Sequence, residues 1–182
     1  EYKNFGFTHF NGVHWYPRIC VYDNKKGWDL DQHLNKELYG DYGRFDVELT
    51  FANNYVVEAT GQLMNPDETF PGDLRERLDI KNFKDKPWGS KPSVITPYDS
   101  NSRKTWKYTA INVHDFAFTA DPAYRLGEAE WNGVKCIAIV EEGHCSGWQK
   151  TPEYMTKIIK TFSEDFGMYE YPKIVAADAN DG

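Results

Sequence analysis

Five histidines, His9, His14, His33, His114 and His144, are the side chains best suited to proton transfer or metal ligation near neutral pH. Their spacing gives them no partner. No two stand four apart around an intervening Glu, so the helical signature of zinc peptidases is absent. Nothing in the spacing points to a metal site assembled from distant His and carboxylate residues. His114 and Asp115 fall within an extended stretch, where neighbours point to opposite faces and cannot act as one pair. Asp115 shares its face with Val113 and Ala117. That pattern predicts a partly buried carboxylate held by backbone N–H groups, with a catalytic base as the sharper alternative. His144-Cys145 reads as a loop histidine beside an ordinary cysteine, because adjacent side chains rarely meet in hydrogen-bond geometry. No Ser stands in a nucleophile elbow and no glycine cluster resembles a phosphate loop. The residues themselves assign no catalytic, cofactor-binding or metal-ligating set.

Cys20, Cys136 and Cys145 are too few and too scattered for a disulfide framework or a zinc knuckle. They read as unpaired thiols. A Cys136–Cys145 bridge across a hairpin is the alternative, and it requires an oxidising compartment. Trp15, Trp28, Trp88, Trp106, Trp131 and Trp148 can serve a hydrophobic core or a sugar-stacking platform. In a β-rich chain, core packing and cross-strand pairing are the expected use.

The elements that must position these residues are mostly strands. Phe45, Val47, Leu49 and Phe51 alternate with Asp46, Glu48 and Thr50, which predicts one strand with its apolar side chains on a common core. Asn53-Asn54 reads as a turn and 55–61 as the return strand. Trp106 to Phe118 is a further extended stretch, with Phe116 and Phe118 on one face. Asn132-Gly133 is a two-residue hairpin signal, since Asn-Gly suits both left-handed positions of a type I′ turn. Residues 63–104 hold five of the nine prolines and read as an insertion between strands, with a short helix around Asp73–Phe83. After Gly147 the pattern turns helical. Thr151 is the expected N-cap, Pro152 suits a first turn, and Met155, Ile158, Ile159 and Phe162 are expected to dock the helix. Gly167 closes it, and Lys173–Ala177 reads as a short buried strand. The fold class is therefore mainly β, an antiparallel β-sandwich or saddle-like domain with a C-terminal helix and strand. The expected division is 1–147 and 148–182.

The chain of 182 residues carries 21 Lys and Arg against 28 Asp and Glu, a net charge of −7. An acidic chain without a basic stripe argues against nucleic acid as a partner. Mean hydropathy is −0.71, and no apolar run approaches the ~20 residues of a membrane span. The chain opens on Glu1 rather than Met, which leaves room for a removed leader.

Three segments together resemble one family. They are Trp15-Tyr16-Pro17-Arg18-Ile19-Cys20-Val21-Tyr22-Asp23 with Gly27-Trp28, then Tyr42–Val47 with Asn54–Gly61, and Trp106–Tyr108 with Asn112–Phe118. In order and spacing they are similar to zinc aminopeptidases of the aminopeptidase N type, a bacterial branch in particular. The likeness runs on through Phe166-Gly167 and Tyr171-Pro172. It implies a β-rich, saddle-like N-terminal domain leading into a thermolysin-like catalytic domain. By the resemblance, this chain spans the later part of the first and the start of the second. Zinc and peptide substrate then belong to the intact enzyme. None of the family's metal ligands, its general base or its transition-state tyrosine maps onto a position here. The family's N-terminal domain also lends a Gln near the substrate amine. His9 lies in that region, but its spacing from Pro17 differs and the role is not carried over. The chain by itself is expected to be inactive and to hold no zinc. The resemblance favours a periplasmic or secreted setting while compartment stays open. An uncovered face on the 151–166 helix would be a route to self-association. The reading from a different class is a self-contained β-sandwich module that binds carbohydrate through its aromatics.

Overall fold

The alternation between Phe45 and Phe51 becomes strand β5 of a computed structural model that describes residues 2–4, 6–30, 39–87 and 89–179. Ahead of it lie β1 (Tyr2–Asn4), β2 (Phe7–Gly12) and the small pair β3 (Tyr22–Asp23) and β4 (Gly27–Trp28). Strand β5 (Gly43–Ala52) turns its apolar residues inward and leaves Asp46, Glu48 and Thr50 exposed, as expected. The Asn53-Asn54 turn also forms. The strand after it, β6 (Val56–Ala59), does not return along β5. It pairs with β9 (Phe118–Asp121), and β5 pairs instead with β8 (Arg103–Val113). Val57 and Ala59 on β6 must face the core made by β5 and β8, which places β6 in the opposite sheet rather than beside β5.

Two antiparallel sheets result. One has the order β1-β2-β9-β6, and the other β5-β8-β7, with β7 at Gln62–Leu63. Between them lies a core that includes Leu49, Val57, Trp106, Tyr108, Phe116 and Ala120, all buried. Burying a side chain of that size contributes about 1.5–3 kcal/mol. The expected single stretch from Trp106 to Phe118 breaks at His114. Asn112 sits opposite the Gly43/Arg44 register shift with φ at 59°, a bulge that ends β8 and re-aims the chain. His114 and Asp115 therefore lie in a connection, not a strand.

The Asn132-Gly133 turn is realised with φ of 50° and 80°, joining β10 (Tyr124–Trp131) to β11 (Val134–Glu141). Of the stretch 63–104, which runs from β7 to the start of β8, Phe70, Leu74, Leu78 and Ile95 pack on these strands. The helical content of the stretch is two single turns, α1 (Pro66–Thr69) and α2 (Leu74–Arg77), and a 3-10 turn at Ile80–Asn82. Leu74 and Leu78 are buried against Leu126, Ile137 and Ile139. The buried Arg125 and Glu142 pair holds the excursion down. Glu142 accepts from Ser93 N at 2.9 Å and from Lys86 Nζ at 2.7 Å, and Arg125 Nη2 donates to the Ser93 carbonyl at 2.8 Å.

A short helix α3 (Cys145–Trp148) precedes α4 (Thr151–Phe166). Lys150 takes the N-cap position without a side-chain bond, and Thr151 is the first helical residue rather than the cap. The docked face is Pro152, Met155, Ile159 and Ser163, packed on β10 and β11. Ile158 and Phe162 are 50% and 58% exposed, contrary to the expected docking set. The seam follows one row of the helix, and Tyr154, Ile158, Phe162 and Phe166 form the next row outward. Strand β12 (Lys173–Ala177) joins β11 in parallel, reached through α4. With β11 as its one strand partner among the described residues, it is half-buried rather than buried.

Candidate functional site

Strand alternation places His9 and Asn11 on the face of β2 opposite Phe10, and Thr119 and Asp121 on the face of β9 opposite Ala120. Phe10 and Ala120 serve the inter-sheet core. The polar face is covered by the ends of β10, β11 and β12, which bring Tyr124, Glu141 and Asp178 over it. His9, Asp121 and Glu141 are buried.

The hydrogen bonds fix the protonation of His9. Asn11 Nδ2 donates to the Ala179 carbonyl at 2.7 Å, so its Oδ1 faces His9 Nε2 at 2.9 Å and Thr119 Oγ1 at 2.9 Å. A carbonyl oxygen only accepts, so Nε2 carries a proton. Nδ1 faces Asp121 Oδ2 at 3.1 Å and Glu141 Oε1 at 3.9 Å, an arrangement that favours a proton there too. Burial alone pulls the imidazole down. The hydrogen bonds to Asp121 and Asn11 and the charges of Asp121 and Glu141 outweigh it, and the net direction is upward. Asp121 is itself fixed, because its Oδ1 accepts the Ala123 N–H at 2.6 Å.

The same cluster grips the end of β12. Tyr124 OH donates to the Asp178 carbonyl at 2.9 Å and stands 2.6 Å from Thr119 Oγ1. His144 Nδ1 lies 2.6 Å from Asp178 Oδ2. His144 thus pairs with Asp178 and not with its neighbour Cys145. The Cys145 thiol is buried, which pushes it up to about 12 and leaves it an inert group. All three cysteines are free thiols, with Cys20 exposed.

Asp115 anchors a second cluster. It is partly buried and accepts from the Phe116 N–H at 2.8 Å, as the sequence predicts, and also from Tyr16 OH at 2.8 Å. Burial, then the Asp115 carboxylate, pushes the Tyr16 phenol up to about 12. Arg18 and His14 stand at 3.7 and 3.6 Å from the other oxygen. His14 holds φ at 51°, a left-handed conformation uncommon outside glycine. The His114 ring lies 5.7 Å from that of Tyr42. His33 and Trp88 fall outside the described residues.

The aromatics divide between core and surface. Trp106, Tyr108 and Phe116 are wholly buried, whereas Trp15 and Trp28 are 46% and 58% exposed. An open groove of about 600 Å³ lies beside β2 and the β5–β6 turn, lined by Phe10, Phe51, Tyr55, Tyr98, Asn54 and Arg103 among others. The Phe51 and Tyr55 rings stack at 5.2 Å along it.

Spacing alone does not reveal the His9 cluster. Its members stand at 9, 11, 119, 121, 124, 141 and 178, and alternation assigns the polar face of a strand to solvent. Thr119 and Asp121 share a face with Val56 and Glu58, a mixture suited to a covered surface, but only through the β6–β9 pairing, which the sequence does not reveal. No protein-family model and no curated protein matches the chain.

Proposed function

We propose that this chain is a non-catalytic, scaffolding part of a zinc-dependent aminopeptidase that removes N-terminal residues from peptides. The observation that supports it is the convergence of the three segments that carry the resemblance. Trp15 Nε1 donates to the Phe116 carbonyl at 3.0 Å, and Tyr16 reaches Asp115. The Tyr16 ring meets Phe45 at 5.7 Å, Trp15 meets Phe118 at 5.4 Å, and Phe45 meets Phe116 at 6.0 Å. Segments remote in sequence thus form one packed unit. The zinc of the intact enzyme would activate a water for attack on the N-terminal peptide bond. The contribution of this chain is to support that centre and wall its cleft. The reading frame beyond Gly182 tests this directly. A Met-Glu within a few codons and a His-Glu-x-x-His some tens of codons later are expected, and a frame without them would overturn the reading. The intact enzyme should cleave aminoacyl anilides in a chelator-sensitive way, while this chain alone should not.

The groove beside β2 supports a second reading, a carbohydrate-binding module. Stacked aromatics with Asn54 and Arg103 alongside suit a sugar ring with its hydroxyls. Saturable binding on a glycan array, lost in Tyr55→Ala, would favour it over the scaffold reading.

A further inference from the structure

His9 on β2, Asp121 at the end of β9 and Glu141 at the end of β11 bring their donor atoms within 4.8 Å of one another. Ligand atoms that share one zinc at ~2.0–2.2 Å stand about 3.0–3.6 Å apart. His9 Nδ1 is 3.1 Å from Asp121 Oδ2, already in that range, and 3.9 Å from Glu141 Oε1, so a shift of the Glu141 carboxylate toward the other two closes the remaining edges onto an ion. We propose that His9 Nδ1, Asp121 Oδ2 and Glu141 Oε1 form a binding site for a divalent first-row cation, zinc foremost.

One imidazole and two carboxylates are a borderline-to-hard donor set that suits zinc and disfavours copper(I) or an iron–sulfur cluster. Three further features fit the site to that use. The ligands come from three strands, each fixed by its ladder. The outer nitrogen of His9 already donates to Asn11 Oδ1, the orientation that holds a ligating imidazole in place. Asp121 Oδ1 is taken by the Ala123 N–H, which leaves Oδ2 directed at the ring. When the ion binds, the Nδ1 proton leaves to solvent. The three side chains together carry one net negative charge with a doubly protonated ring. With a divalent ion and a neutral ring they carry none, which favours the exchange in a buried site. The proposal stands on these side chains alone and does not depend on the aminopeptidase reading.

The test uses the 182-residue chain, stripped with chelator and then dialysed against zinc. Elemental analysis should find one zinc per chain, against the expectation from the sequence that the chain holds none. Calorimetric titration should show at least a tenfold loss of affinity in both Asp121→Asn and Glu141→Gln, and His114→Gln, at a histidine outside the cluster, should bind as wild type. Circular dichroism of the metal-free variants establishes that they fold. Cobalt loading of the wild type reads the site without any variant. Visible d–d bands without a thiolate charge-transfer band are expected. A folded wild type that retains no zinc shows an ion pair only, and a thiolate band places the ion on a cysteine. Either result overturns the proposal, as does undiminished binding in both carboxylate variants.

Discussion

His144 Nδ1 and Asp178 Oδ2 lie 2.6 Å apart, and that hydrogen bond raises the imidazole above its ordinary value against the opposing pull of burial. A group that holds its proton more tightly when folded adds stability that is complete below the unfolded value of about 6.5. The gain is lost as pH rises through the folded value. In chelated buffer the urea midpoint should therefore fall from mildly acidic to mildly alkaline pH, and His144→Gln should flatten the fall. His9 titrates in the same direction, so some slope should persist in the variant. A wild-type midpoint that rises over this range would show that the pairing is not made. Arg125 and Glu142 are 0% and 1% exposed at their side chains. Removing one member of such a pair strands a buried charge, so Glu142→Ala should cost about 3–5 kcal/mol in urea denaturation. A double replacement by apolar residues should cost less. Of these residues the sequence yields types but not meetings. Asp115 was read as a backbone-held carboxylate from a strand alternation that in fact breaks at His114, so the reading holds on a different ground, its bond to the next residue, whereas His9 finds Asp121 across 112 positions.

At the scale of the element, α4 separates what periodicity reveals from what it leaves open. Its limits and apolar residues follow from spacing and from Pro152 and Gly167. Which apolar row meets the sheet does not, because Met155 and Ile159 lie beside Ile158 and Phe162 on one broad stripe. The sheet chooses. Gly127 on β10 leaves room where Pro152 and Ile80 approach, and an added Cβ there would lie 2.9 Å from Pro152 Cγ and 2.4 Å from Ile80 Cδ1. Ile159→Ala should accordingly cost about 2–5 kcal/mol, while Phe162→Ala should stay within about 0.5 kcal/mol. Equal costs measured by thermal denaturation would mean that the helix is rotated from the position described. Strand β6 teaches the same lesson. Val56-Val57-Glu58-Ala59 was recognisable as a strand, but its partner was decided by the core that Val57 and Ala59 must reach.

Across the whole molecule, the layers are tied by buried pairs as well as by apolar packing. Lys173 on β12 pairs with Glu58 on β6, and its ammonium lies 5.0 Å from the Tyr108 ring centroid on β8. One side chain thus links the three larger sheets. Unfolding followed by tryptophan emission, to which the buried Trp106 contributes, and by far-UV circular dichroism should therefore superimpose in a single transition. Two separated midpoints would show that β10, β11, β12 and α4 unfold as a unit of their own. The mainly β class was legible from alternation and turn chemistry. The stacking of one sheet between two others was not, because the polar face of β2 and β9 carries the pattern of an exposed surface.

The grip on the end of β12 has a mechanical consequence. Tension applied at Ala179 runs along a strand whose five residues pair in parallel with β11, and whose exit is clasped by Asn11, Tyr124 and His144. Such a pull loads the ladder in shear, so its bonds share the force instead of parting one after another. Force drawn sideways on β12, away from β11, would peel the same bonds in turn. The protein should be stiff along the one direction and compliant across it, with Ala179 as the point where load enters the fold.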